Sequence, residues 1–181
     1  MKNKIQPFVF LFLSSISLLY TVDSLGQMPS TKGANMKLSS PAFKHNQAIP
    51  LIFTCEGEDL NPALTISDVP ADAKSLALIV DDPDAPMGMW VHWVVYNIPP
   101  TLQQISQNSI PGKQGINDFD RLNYGGPCPP SGEHRYFFKL YALDTTLNLK
   151  EGVTKKQLEE AMKGHILSQA ELVGLYRKVY Q

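Results

Sequence analysis

A chain of 181 residues, 43% apolar and 18% charged, has the size and composition of one globular domain, which excludes an intrinsically disordered protein. Sixteen basic and seventeen acidic side chains leave a net charge of −1. With no basic block denser than Lys155-Lys156, the pattern argues against nucleic acid as a partner.

Lys2 and Lys4 precede an apolar run from Phe8 to Tyr20, and Ser24-Leu25-Gly26 supplies small residues for cleavage. This is the pattern of a secretory signal peptide over residues 1–26. The run is shorter than the about 20 residues a membrane span needs, so a periplasmic or secreted protein is expected. Residues 27–35 are small and polar and read as a flexible leader, which places the folded domain at 36–181. Cys55 and Cys128 would then meet an oxidising compartment, but spacing alone leaves their pairing open.

Met36 to Leu38 reads as a first strand and Ala48 to Thr54 as a second, with Pro50 placing the second at a sheet edge. The connection from Cys55 to Pro62 carries three carboxylates without the alternating spacing of a calcium loop, and reads as a solvated acidic loop. Leu64 to Ser67 is a short strand. Ser75 to Val80 is a continuous apolar run, expected to be covered on both faces. It stops at Asp81-Asp82-Pro83-Asp84-Ala85-Pro86, a turn whose prolines fix the backbone and whose acids cluster at a strand end.

Trp90 to Ile98 forms the next strand. Strict alternation would place His92, Val94, Tyr96 and Ile98 on one face and Val91, Trp93 and Val95 on the other. Thr101 to Tyr124 lacks periodicity and reads as a long functional loop, with Asn117 and Asp118 capping backbone groups. Glycines and prolines from Gly125 to Gly132 lead into a last strand, His134 to Leu143, with His134 and Tyr136 on the same face as Phe138, Leu140 and Ala142. Thr154-Lys155-Lys156-Gln157 has capping-box spacing. Leu158, Ala161, Met162, Ile166, Ala170 and Val173 then continue at helical spacing, with a break expected at Gly164 and a structural role for His165. The sum is a mainly β domain with one C-terminal helix docked on it.

Two strands that each open with a histidine, beside an acid-bearing turn, bring together three ionisable groups that packing alone seldom gathers. The motifs Asp82-Pro83-Asp84-Ala85-Pro86, Trp90-Val91-His92-Trp93 and Gly126-Pro127-Cys128-Pro129-Pro130-Ser131-Gly132-Glu133-His134-Arg135-Tyr136 closely resemble the phosphatidylethanolamine-binding protein (PEBP) family, in particular its bacterial Raf kinase inhibitor-like members. Asn117-Asp118-Phe119 and Gly164-His165-Ile166-Leu167 match the same branch. Asn61-Pro62 departs from it, standing where the branch usually carries Ser-Pro.

The resemblance implies a PEBP-like fold with a large central antiparallel sheet, a smaller second sheet and a C-terminal helix. It also implies a small anion pocket lined by Asp82, His92, Gly126, Pro127, His134 and Tyr136. Asp84 and Pro86 would shape the floor and Trp90 would flank the entrance. The expected ligands are phosphate, phosphoethanolamine or acetate-like carboxylates, including phospholipid head groups through peripheral lipid contact. Imidazoles, a phenol and backbone N–H groups near Gly126 suit such oxygens, while Asp82 would orient a histidine. The family also includes kinase and protease inhibitors, so a protein kinase or protease target at the pocket rim is a second reading. A third treats Asp82, His92 and His134 as metal ligands of an enzyme, and a fourth makes Cys128 or Ser131 a nucleophile beside His134. The reading carried forward is a non-enzymatic binding protein with no cofactor and no metal.

Overall fold

The computed structural model describes residues 35–178. The expected signal peptide and nearly all of the leader lie outside the described residues. Within them run β1 (Lys37–Ser39), β2 (Gln47–Ala48), β3 (Leu64–Ser67), β4 (Ser75–Asp82), β5 (Trp90–Ile98), β6 (Gln104–Ile105), β7 (Lys113–Gln114), β8 (Glu133–Leu143), α1 (Lys155–Met162) and β9 (Ile166–Arg177). A six-stranded sheet has the order β2-β9-β8-β4-β5-β7, and a three-stranded sheet the order β1-β3-β6. Every pairing is antiparallel except that of β2 with β9.

The apolar run of β4 is buried along its whole length because the large sheet is covered on both faces. On one side Leu76, Leu78, Val80, Phe138, Leu140 and Leu172 pack with Leu38, Leu64, Ile66 and Ile105 of the small sheet. On the other, Ala77, Ile79, Val94 and Tyr96 pack under Leu158 and Met162 of α1. Thr154 and Gln157 cap α1 reciprocally, as their spacing predicts.

Three expectations are corrected. The C-terminal segment does not continue as a helix: α1 ends at Met162, Gly164 takes a φ of 78°, and Ile166–Arg177 becomes a twelve-residue strand. Ile166 and Ala170 are four apart, a spacing that fits a helical face and a strand face equally well. The free edge of β8 decides between them, pairing from Glu133↔Arg177 to Leu143↔Ile166. The second predicted strand shrinks to β2, because Pro50 begins a 3-10 turn over Leu51–Phe53; its place at the sheet edge is as expected. The long loop after β5 donates two-residue strands to both sheets.

Strict alternation also fails along β5. Val80 pairs with Trp93, but Asp81 pairs with Val91, so one step on β4 spans two on β5 and His92 is the extra residue. Such a β-bulge re-aims a side chain. It puts His92 on the same side of the sheet as Trp93 and Val95, whereas Val91, Val94 and Tyr96 lie on the side of α1. The bulge therefore turns His92 toward Tyr136 of β8.

Candidate functional site

At the end of the large sheet, the β4–β5 turn, the start of β5 and the loop before β8 enclose a cavity of about 340 Å³. Asp82, His92 and His134 give its polar side; Pro86, Met87, Trp90, Phe119 and Pro129 give most of its apolar wall. This is within the usual size of a small-molecule site. Asp82 ends β4, His92 sits at the bulge of β5 and His134 opens β8, so three neighbouring strands of one sheet deliver the three groups.

Each imidazole is anchored through Nδ1. His134 Nδ1 lies 2.7 Å from Asp82 Oδ2, and both side chains are almost fully buried. The other carboxylate oxygen of Asp82 accepts from the Asp84 N–H at 2.8 Å. His92 Nδ1 lies 2.6 Å from the Gly125 carbonyl, while the Gly125 N–H donates to the His92 carbonyl at 2.9 Å. A carbonyl can only accept, so His92 carries its hydrogen on Nδ1 and leaves Nε2 to a ligand. Burial pushes the His92 pKa below its ordinary value, against the pull of the Gly125 carbonyl and the Asp82 charge. The bulge thus places the ring where burial favours its neutral form.

The remaining expected residues stand around these groups. Tyr136 is buried behind His92, edge-on at 5.1 Å between centroids, and does not itself line the cavity. Burial, then the Asp82 charge, raises its pKa, so the phenol stays a neutral donor; its hydroxyl completes no hydrogen bond of good geometry. Asp84 points away from the cavity and grips β8. It accepts from the Arg135 backbone N–H at 3.0 Å and from Nε and Nη2 of the guanidinium at 2.8 and 2.7 Å, which lowers its pKa to about 2. Asp84 therefore ties the β4–β5 turn to the strand that carries His134.

Gly126 and Pro127 lie behind the wall. The Gly126 N–H is spent on Asp59 Oδ1 at 2.5 Å, and Pro127 accepts from the Cys55 N–H at 3.1 Å. Asp59 also pairs with Arg121 at 3.0 Å, and that guanidinium lies 5.1 Å from the centre of the Phe119 ring. The acidic loop is therefore partly a brace: Asp59 holds the backbone behind the pocket, and Glu56 accepts from the Tyr176 hydroxyl. No motif marks Asp59 for this role. Phe119, packed edge-on against both Trp90 and His92 at 5.4 and 5.3 Å, was visible only as part of Asn117-Asp118-Phe119.

Asn117 and Asp118 cap backbone groups as expected. Asn117 accepts from the Phe119 and Arg121 N–H groups and donates to the His92 carbonyl, and Asp118 accepts from the Val91 N–H at 2.7 Å. Cys128 is bonded to Cys55, so it carries no thiol and the cysteine-nucleophile reading falls. Ser131 is exposed on the loop and does not line the cavity. Among the described residues no three His, Cys, Asp or Glu side chains are grouped closely enough to share a metal ion.

A family model described as phosphatidylethanolamine-binding protein matches residues 39–177. The chain belongs to this family. A UPF0098 protein of Methanothermobacter thermautotrophicus is 51% identical over 151 residues, covering 79% of this chain and 99% of the relative. A UPF0098 protein of Chlamydia trachomatis is 48% identical over 149 residues, with the same coverage of 79% and 99%. Among solved structures, the phosphatidylethanolamine-binding protein homologue CT736 of Chlamydia trachomatis is similar at a TM-score of 0.78 and 47% identity, covering 81% of this chain and 99% of that one. E. coli YbcL, described as a member of the mammalian PEBP family, gives 0.74 at 31% identity, covering 80% and 99%. The mainly β fold, with two sheets and one α-helix among the described residues, is thus the PEBP fold.

Proposed function

We propose that the protein is a non-enzymatic binding protein whose cavity takes a small phosphate-bearing ligand of the phosphoethanolamine type. The observation that carries this reading is the convergence of two imidazoles on one cavity, each fixed by its Nδ1 so that Nε2 is left for ligand oxygens. The His134–Asp82 couple supplies a ring that donates through Nε2 when it carries a second proton, with the carboxylate balancing its charge. Apolar residues around this polar corner suit a ligand with one acidic end and one carbon end. Carboxylates of the acetate type share the oxygens and are weaker candidates.

An NMR titration of the described domain with phosphoethanolamine, and separately with zinc, tests the reading. Selective shifts of His92 and His134 with phosphoethanolamine are expected, and their loss of affinity in His134→Ala without loss of fold. Silence with phosphoethanolamine and tight stoichiometric zinc binding would overturn it in favour of a metal enzyme. A specific feature also favours the rim as a protein-contact surface: Met87, 94% exposed, lines the cavity, and Met89, two residues on, is 47% exposed. A kinase or protease bound there would be released by Met87→Asp.

A further inference from the structure

The two histidines of the cavity have different partners. His134 leans on a carboxylate, so a proton added at its Nε2 has a counter-charge 2.7 Å from the other ring nitrogen. His92 leans on a neutral carbonyl, is 2% exposed, and is surrounded by the Tyr136 and Phe119 rings. The charged groups that face it are Asp82 and, from the far side of the sheet, Asp81. Asp81 is already matched by Lys139 and Lys155 at 2.8 and 2.6 Å, and Asp82 by His134. Tyr136 is a neutral phenol, and the Asp84–Arg135 pair neutralises itself. With its hydrogen fixed on Nδ1, His92 offers Nε2 as a lone pair, which accepts and does not donate.

We propose that His92 makes this pocket selective for a ligand acid that still carries a hydrogen, namely the monoanion of a phosphomonoester, over a phosphodiester of equal charge. The inference rests on the anion-pocket reading above and sharpens it. A phosphomonoester monoanion has one P–O–H to give to His92 Nε2 and two oxygens, sharing its one charge, to accept from His134. A diester has only acceptor oxygens, so His92 would face one lone pair with another, and a buried polar group left unpaired against its ligand is strongly selected against. Free phosphoethanolamine satisfies the rule, whereas the phosphodiester of an intact phospholipid has no such hydrogen. Inorganic phosphate satisfies it too.

Methyl phosphate and dimethyl phosphate isolate the hydrogen. At pH about 5.5, below the second phosphate pKa of about 6, both are monoanions, and the cavity has room for the additional methyl group. Titration calorimetry should give at least about tenfold tighter binding of methyl phosphate, with its affinity falling as the pH rises above about 6 and the dianion forms. Equal affinities would overturn the rule and leave the anion pocket standing. Binding of neither would overturn both. Inorganic phosphate as a competitor separates the sources: whichever of it and methyl phosphate binds tighter names the ligand class, provided both outbind the diester.

His92→Gln, whose amide donates as well as accepts, should bring the two esters to within a few-fold of each other. A nitrogen-15 spectrum of the unmutated protein gives an answer that needs no variant to fold. It should show His92 Nε2 unprotonated at pH about 5.5, the pH of the ester comparison, where an imidazole with the ordinary value of about 6.5 is mostly protonated. A protonated Nε2 there would refute the proposal.

Discussion

Replacing Cys55 and Cys128 together by serine removes a cross-link between residues 73 apart in sequence. Closing a loop of that length restricts the unfolded chain by about 4.4 kcal/mol at 25 °C in the chain-entropy treatment. The bond joins the stretch after the Leu51–Phe53 turn to the loop that walls the cavity, where the Cys55 N–H also donates to Pro127. Both ends are otherwise well held in the folded state, so nearly all of the effect should fall on the unfolded one. Urea unfolding followed by tryptophan fluorescence reports it, because Trp93 is buried in the core. With a denaturant slope of about 2 kcal/mol/M, the midpoint should drop by about 2 M, and the slope should rise because the unfolded chain without its cross-link is less compact. A loss below about 1 kcal/mol would refute the reasoning, since it would mean that the reduced unfolded chain is already constrained.

Gly126→Ala should destabilise the domain by about 1–3 kcal/mol, measured by thermal unfolding. An added Cβ would lie 2.5 Å from the Phe53 carbonyl oxygen, 2.7 Å from Asp59 Oδ1 and 2.8 Å from the Thr54 Cα, and two of these are backbone atoms that cannot turn aside. Asp81→Asn should cost about 3 kcal/mol by leaving Lys139 and Lys155 half-buried without their counter-charge. Phosphoethanolamine affinity should stay within a few-fold in that variant, because Asp81 serves the α1 side of the sheet; a large loss would show that the two faces are coupled. Stability should begin to fall as the pH drops below 6.5, where unfolded His92 takes up a proton that the buried ring refuses. A second fall follows between 3.8 and about 2, as protonation breaks the Asp84–Arg135 clamp. Thermal midpoints against pH check both steps, and His92→Gln should abolish the first while keeping the second.

Much of the site was legible before any coordinates. The glycine and proline loop, the acid-bearing turn and the two histidines are contiguous motifs, and local backbone restriction by proline acts within a residue or two. Asp82, Pro86, Trp90, His92 and His134 all reach the cavity wall. Asp59 was not legible. Its link to Gly126 spans 67 positions, and a carboxylate in a polar loop has the same local pattern whether it is solvated or bonded. Gly126, expected to line the pocket, has its N–H committed to that carboxylate for the same reason. The disulfide belongs to this class as well, since whether two sulfurs meet depends on where the loops are carried.

What the sequence determined by itself was the set of local conformations: a β4 apolar enough to be buried on both faces, the α1 cap, the turn after Asp82 and the rigid loop before His134. Those follow from side-chain pattern and dihedral preference over a few residues. Only the tertiary structure decided that Ile166–Arg177 is a strand and not a helix, because an unpaired β8 edge outweighed a spacing that served both. Only pairing with β4 put the bulge at His92 and turned its ring to the cavity. In both cases the deciding hydrogen bonds go to residues far away in the chain, and no local pattern can encode a partner it does not contain.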